Sequence, residues 1–302
     1  MVNFKRAMSN NRIMLALTGF KVDQFMKIAQ EFGAQYNQTK REEYLKEDHL
    51  RQIGGGKKPK LKTPEEKLFF ILLYFKCYPT FDLLSYLFDL DRGPCCRWVH
   101  RLKKILEAVL KKKLVLPERK ISSVAEFVQC FPEATKVFID GFERPRRRPK
   151  NPEDQKKYYS GKKKRHTIKN VIITDEDRKV KVISKTYEGK KHDFAICKEE
   201  EMPKFIPKSV DLFLDLGFEG IEKNYSHLNV FKPLKKPKGK EICELDKKLN
   251  RLISSVRVKV EHTISGIKRF RIVSDVFRNT MKGFDDCVSL LSAGLWNYYL
   301  VN

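Results

Sequence analysis

Val137-Phe-Ile-Asp140-Gly141 and, further along the chain, Val210-Asp-Leu-Phe-Leu-Asp215-Leu-Gly217 are apolar runs of strand length, each closing on a carboxylate within two residues of a glycine. A sheet fixes the backbone of such a strand while its tip faces a crevice, so acidic strand tips can converge from distant parts of a chain. Working outward, Thr167–Thr174 and Lys179–Thr186 flank a turn at Asp175-Glu-Asp-Arg178, a hairpin signal. Leu228–Leu234 reads as a further strand, His192–Glu201 as a helix and roughly 242–268 as a long helix. A last amphipathic helix carries Val288, Leu291, Leu295 and Tyr298. This order predicts an α/β domain over about 125–302, a mixed sheet flanked by helices.

Either aspartate alone is ordinary turn chemistry. The long helix adds the third candidate. On it Leu249, Ile253, Val256, Val260 and Ile267 share one face, while Asn250, Ser254, Arg257, Glu261 and Lys268 form an adjoining polar stripe. Glu261 stands one turn from Arg257 and can pair with it. A glutamate at the margin of a buried stripe, beside cations that could grip phosphate, suits a ligand for a hard metal ion. An exposed ladder of ion pairs has the same pattern.

Residues to about 120 read as all-helical. Val22, Phe25, Ala29, Phe32 and Tyr36 recur at helical steps, and the segment ends at Gly54-Gly55-Gly56. The stretch 54–62 is a basic linker, either a plain connection or an arm that follows phosphates. Thr63, Pro64 and Glu66 make a capping box before the apolar run Leu68–Phe75. Pro79 breaks that helix. Thr80 caps the next, in which Phe81, Leu84 and Phe88 share a face with Leu83 and Leu87 alongside. A turn at Leu90-Asp91-Arg92-Gly93 leads to a helix starting near Pro94, with Cys95, Trp98, Val99 and Leu102 inward. Its other face carries Cys96, Arg97, His100, Arg101 and Lys104. Two short helices with a basic outer face suggest a helix-turn-helix, with Arg97, Arg101 and Lys104 as DNA contacts. A helical bundle with a solvated charged surface fits the same pattern.

The charge balance favours a polyanionic partner: 302 residues carry 63 Lys and Arg against 38 Asp and Glu, a net +25. The longest apolar run, Leu68–Phe75, is far too short to span a bilayer, and Met1-Val-Asn-Phe-Lys-Arg6 does not open a secretory leader. The expectation is a soluble, cytoplasmic protein with no membrane partner. Seven cysteines, at 77, 95, 96, 130, 197, 243 and 287, show no Cys-x-x-Cys pair or zinc spacing and read as reduced structural residues. Between the first two acidic candidates, Arg146-Arg-Arg148 and Lys162-Lys-Lys-Arg165 make a basic insertion. It is placed to hold phosphates through Lys163, Lys164 and Arg165, or is a solvated loop.

Together these segments resemble a known family. Thr63-Pro-Glu-Glu-Lys-Leu68, Tyr78-Pro-Thr80 and Arg97-Trp-Val-His-Arg-Leu102 look like the helix-turn-helix of bacterial insertion-sequence transposases in the DDE endonuclease superfamily, the "insertion sequence five" group related to Harbinger-type enzymes. Asp140-Gly-Phe-Glu-Arg-Pro145, Tyr159-Ser-Gly-Lys-Lys-Lys-Arg-His-Thr167, His192-Asp193, Asp215-Leu-Gly-Phe-Glu-Gly220 and Val256-Arg-Val-Lys-Val-Glu-His262 resemble that group's catalytic segments. The resemblance implies a ribonuclease-H-like domain in which Asp140, Asp215 and Glu261 are catalytic and hold Mg²⁺ or Mn²⁺. It also implies Arg257 and Lys268 as DNA contacts and His192 and Asp193 as supporting residues. Two positions depart from the family: Ser254 replaces a tyrosine, and Leu216 stands where relatives carry a lysine. The implied function is cleavage and strand transfer at the terminal inverted repeats of an insertion sequence, on double-stranded DNA, by a homo-oligomer. A domesticated or decayed copy acting as a non-cleaving regulator is the alternative, and an RNA-processing nuclease on the same fold is a more distant one.

Overall fold

In the computed structural model, which describes residues 2–46, 58–236 and 242–302, the chain divides into two units. One is drawn from residues up to Leu116 with Arg269–Ile272 and Tyr298–Asn302; the other comprises Pro117–Lys268 and Val273–Asn297.

The first unit is helical: α1 (Phe4–Met8), α2 (Asn11–Thr18), α3 (Val22–Leu45), α4 (Pro64–Cys77), α5 (Phe81–Phe88) and α6 (Arg92–Lys112). Helix α4 starts as its sequence dictates. Glu66 N donates to Thr63 Oγ1 at 3.2 Å, Thr63 N donates back to Glu66 Oε2 at 3.3 Å, and Pro64 opens the helix. Every residue from Leu68 to Phe75 is buried, so α4 is apolar on all sides and packs against α2, α3 and α6. From α3, Phe25, Ala29, Phe32 and Tyr36 turn inward as their spacing predicts.

Three details differ from expectation. Helix α6 begins at Arg92, so Arg92-Gly93 is helix and not turn; Pro94 falls in the first turn, where its missing N–H breaks no helical bond. Leu83 is exposed on α5. Of the basic linker, residues 54–57 lie outside the described residues. Its end is docked: Leu61 is buried and Lys60 Nζ lies 2.7 Å from Asp89 Oδ2.

The second unit holds a mixed sheet. Its elements are α7 (Val124–Cys130), β1 (Lys136–Pro145), α8 (Pro152–Tyr158), β2 (Tyr159–Ser160), β3 (Arg165–Thr174), β4 (Val180–Ile183), β5 (Tyr187–Glu188) and α9 (Asp193–Glu199). Then come β6 (Asp211–Phe213), α10 (Ile221–Asn224), β7 (Asn229–Phe231), α11 (Glu244–Lys268) and α12 (Phe284–Val301). Strand β1 is central. It pairs antiparallel with β3, and β3 in turn with β4; on its other side it runs parallel to β6, which is parallel to β7. This is the ribonuclease-H-like arrangement that the resemblance implies. The expected hairpin joins β3 to β4, with Lys179 N donating to Asp175 Oδ1 at 2.9 Å. One face of the sheet buries Val137, Ile139, Val171, Ile173, Val182 and Leu212 against Ile196 and Cys197 of α9.

The sheet also corrects the first reading of Asp140. Strand β1 does not end there but runs on to Pro145, with Asp140 opposite Ile172 and Gly141 opposite Val171. The local Asp-Gly turn preference loses because β3 supplies a ladder partner for each residue and Phe142 and Arg144 continue the buried alternation. The two-residue strands β2 and β5, and the short α8, are too brief to carry a periodic signal. On α12 the predicted stripe of Val288, Leu291, Leu295 and Tyr298 is buried, as are Ile253, Val260 and Ile267 on α11. Leu249, however, is exposed, and Arg257, expected on the polar stripe, is buried. The seven cysteines are free thiols, and no helix among the described residues is long and apolar enough to cross a membrane.

Candidate active site

Parallel pairing of β1 with β6 sets Phe138 beside Phe213, and two residues further along each segment stand Asp140 and Asp215. Each carboxylate is oriented by the next backbone amide. Gly141 N donates to Asp140 Oδ1 at 2.7 Å, and Leu216 N donates to Asp215 Oδ1 at 2.8 Å as Asp215 caps a 3₁₀ turn. Arg257, delivered by α11, straddles the pair. Its Nη2 lies 3.5 Å from Asp140 Oδ2 and its Nη1 3.5 Å from Asp215 Oδ1. Those separations exceed a close charge-assisted hydrogen bond, so the guanidinium neutralises both acids without gripping either. The Asp140 side chain is 17% exposed, that of Asp215 45%. Burial, with the nearby charges of Asp215 and Asp193, pushes the Asp140 carboxyl up to about 6 against the opposing pull of the Gly141 amide and Arg257.

Asp193 opens α9 directly beside this pair. A Cβ on Gly141 would lie 2.6 Å from the Asp193 carboxylate, which explains why a glycine occupies the middle of β1. Lys169, pointing from the middle of β3, holds Asp193 in place: its Nζ is 3.1 Å from Asp193 Oδ1, 3.3 Å from Glu143 Oε1, and donates to the Lys191 carbonyl at 2.9 Å. Glu143 is fixed in turn by a 3.0 Å hydrogen bond from the Thr167 hydroxyl. Lys268, at the end of α11, is half-buried; burial lowers its pKa, Lys163 lowers it further, and Glu143 and Asp140 oppose. Asp140, Glu143, Lys163 and Lys268 therefore share one electrostatic neighbourhood.

The remaining expected residues are placed as follows. Lys163 and Lys164 are exposed in the turn between β2 and β3, and Arg165 is exposed at the start of β3. His192 is exposed at the start of α9 and makes no side-chain cap there. Leu216 is exposed next to Asp215. Glu261 is exposed on α11, one turn beyond Arg257, and the expected Arg257–Glu261 pair gives way to contacts with the two aspartates. A buried guanidinium gains more from two carboxylates, one of them shielded, than from one solvated partner. The structure thus brings Asp140, Asp215 and Arg257 together with Asp193, and leaves Glu261 outside those contacts. In the helical unit Arg97 and Lys104 face outward, whereas Arg101 pairs with Glu43 and lies over the Tyr36 and Trp98 rings, 5.8 and 5.9 Å from their centroids.

Glu143 and Lys169 were not read from sequence. The available signal was a lysine interrupting the apolar run Ile168–Thr174, which in a doubly covered strand calls for a partner. As for a divalent cation, the donor chemistry fits: hard cations take carboxylate oxygens, and Asp140 and Asp215 converge on one positive group. Among the described residues no three His, Cys, Asp or Glu side chains yet stand close enough to enclose one.

Comparison with known proteins bears directly on these segments. Residues 139–297 match a family described as DDE superfamily endonuclease, and residues 59–112 match the helix-turn-helix of DDE superfamily endonuclease. The first match takes in Asp140, Asp215 and Glu261; the second covers α4, α5 and α6. A protein of Microchaete diplosiphon described as a probable transposase for insertion sequence element IS702 is 30% identical over 256 residues, 85% of this chain and 87% of that protein. No solved structure matches the chain. With the catalytic-domain match spanning half the chain and the relative spanning most of it, the chain belongs to the DDE endonuclease superfamily, among the transposases of bacterial insertion sequences.

Proposed function

We propose that this chain cuts and rejoins DNA at the ends of an insertion sequence, with Asp140, Asp215 and Glu261 as its metal-holding catalytic carboxylates and Mg²⁺ or Mn²⁺ as the cofactor. The observation that carries this reading is the convergence of Asp140 and Asp215, from parallel neighbouring segments, on Arg257 of the helix that bears Glu261. Divalent cations bound there would supply a water of lowered pKa and charge stabilisation at phosphorus. The protein's own groups do the rest. Arg257 and Lys268 hold the phosphate beside the carboxylates, and Lys163, Lys164 and Arg165 extend that grip along the strand. Lys169 fixes Asp193 against the Asp140 segment, a positioning role shared with His192 at the same helix start. Attack by water frees a 3′-hydroxyl, which then attacks target DNA in line. The helix-turn-helix recognises the terminal inverted repeats through Arg97 and Lys104, while Arg101, which the sequence also offers as a contact, braces the helix through Glu43. Joining two ends requires a homo-oligomer on DNA, and the work is done on the nucleoid in the bacterial cytoplasm.

The second reading, a DNA-binding regulator that no longer cuts, draws on Leu216, an exposed aliphatic side chain beside Asp215 where the family resemblance implies a lysine. One experiment separates the two. Wild-type protein is incubated with a labelled terminal-repeat duplex and Mg²⁺, in parallel with Asp140→Ala and Glu261→Gln. Nicking by wild type alone, with binding retained by both variants, is the expected result. Binding by wild type without nicking would leave the regulator.

A further inference from the structure

A cavity of about 850 Å³ opens on the sheet unit away from the carboxylates, and its walls have an unusual composition. The lining includes Arg148, Lys156 and Lys190, the rings of Tyr159 and His166, and Gln155, and it contains no carboxylate. Three separate segments build it. Strand β2 pairs with the start of β3, Tyr159 facing His166, and the two rings meet edge to face at 5.7 Å. Arg148, beyond the end of β1, is held by a fork in which its Nε and Nη2 donate to Gln155 Oε1 at 3.1 and 2.8 Å. Gln155 is fixed in turn by donating to the Pro149 carbonyl at 2.9 Å. The segment after β5 closes the third side, where Lys190 N donates to the Lys157 carbonyl at 3.2 Å. The site is thus an open cleft whose walls are braced by these hydrogen bonds. Tyr159 is 43% exposed despite this packing.

The volume lies in the range of about 300–1,000 Å³ typical of pockets for small organic ligands. Three cations with no acid select an anion, and an exposed ring selects a flat group that can stack. A base inside a duplex cannot satisfy the second condition, because its π-faces are covered by its neighbours; an extruded or unpaired base can. The position connects the cavity to the carboxylates. Arg146 N donates to the His166 carbonyl at 3.0 Å, which places the cavity six residues beyond Asp140 on the β1–β3 ladder, roughly 20 Å away at ~3.4 Å per residue. A DNA strand rises about 3.4 Å per nucleotide, so that span is about six nucleotides.

We propose that this cavity binds one unpaired nucleotide of the DNA substrate, its base stacked on Tyr159 and its phosphates held by Arg148, Lys156 and Lys190. The site rests on the reading that DNA is the substrate, and the test keeps the two apart. Binding of the full-length protein to two 30-base-pair duplexes is measured by fluorescence anisotropy, one fully paired and one with a single bulged 2-aminopurine. Wild type should prefer the bulged duplex by about fivefold or more, the low end of what stacking one base on an aromatic ring contributes, and should quench the 2-aminopurine. Tyr159→Phe should keep that preference. Tyr159→Ala should abolish it while holding the paired duplex as wild type does, with an unchanged melting temperature showing that the fold is intact. Equal affinity of wild type for both duplexes, or a preference that survives Tyr159→Ala, overturns the site and leaves DNA binding standing. Failure to bind either duplex overturns both.

Discussion

At the scale of single residues the candidate site is a problem in hidden charge. Asp140 is mostly buried and its carboxyl is raised to about 6, chiefly by desolvation, so the folded state favours its neutral form. The unfolded chain releases that proton near its ordinary value of 3.8. Between those pH values the native state holds a proton that the unfolded state has lost. This contribution to stability is whole below about pH 4 and is lost as pH rises through about 6. Asp140→Asn removes the burden of a buried anion. In metal-free urea unfolding the variant should exceed wild type by on the order of 2 kcal/mol at pH 7, with the gap closing near pH 4. A gap of the same size at both pH values would show that Asp140 titrates normally. Lys169 presents the converse case. It is the shared cation of Glu143 and Asp193, and both it and Glu143 are about nine-tenths buried. Lys169→Met should therefore destabilise by roughly 3–5 kcal/mol, the usual consequence of stranding buried charge. A loss below 1 kcal/mol would instead place these contacts with ordinary surface pairs.

At the scale of elements, local preference and packing can be set directly against each other at Gly266. In the last turn of α11, Gly→Ala gains at most about 1 kcal/mol of helix propensity. Here, though, an added Cβ would lie 2.5 Å from the Trp296 ring of α12, and that ring cannot easily retreat because Trp296 Nε1 donates to the Arg178 carbonyl at 2.9 Å. Overpacking typically costs about 1–3 kcal/mol, so Gly266→Ala should lower the melting temperature; an increase would show that α11 and α12 can separate freely. The same contest decides what was legible in sequence. Helix α4 was readable because cap, first-turn proline and apolar run agree. The β3–β4 hairpin was readable because its turn residues separate two strand-like runs. The end of β1 is hidden in sequence because an Asp-Gly pair imitates a turn, and only the partner strand β3 reveals that the backbone is already paired. For Arg257, helical geometry gives the face it occupies but not what that face meets, and the fold buries it against two aspartates. The sequence pattern singles out Asp140 and Asp215, which the fold brings together on Arg257, whereas Lys169 and Glu143 become meaningful only once β1 and β3 lie side by side.

At the scale of the whole molecule, a net charge of +25 makes affinity for DNA unsurprising and therefore weak evidence of specific placement. Salt dependence supplies the discrimination that affinity lacks. Each phosphate neutralised by a fixed cation releases condensed counterions, so the logarithm of the binding constant falls with the logarithm of salt concentration by about 0.9 per contact. On α6, Arg97 and Lys104 are exposed, whereas Arg101 is engaged with Glu43 and the faces of Tyr36 and Trp98. If this helix docks on DNA as proposed, Arg97→Ala and Lys104→Ala should each reduce the salt slope by about 1. Arg101→Ala should weaken binding through the fold, lowering the melting temperature while leaving the slope nearly unchanged, because its charge is already balanced within the protein. The measurement is a salt titration of duplex binding by the three variants beside a thermal melt of each. A full unit lost from the slope on Arg101→Ala, with none lost on Arg97→Ala or Lys104→Ala, would mean that α6 meets DNA through a different face. Arg101 would then have to leave Glu43 and its aromatic neighbours to reach a phosphate.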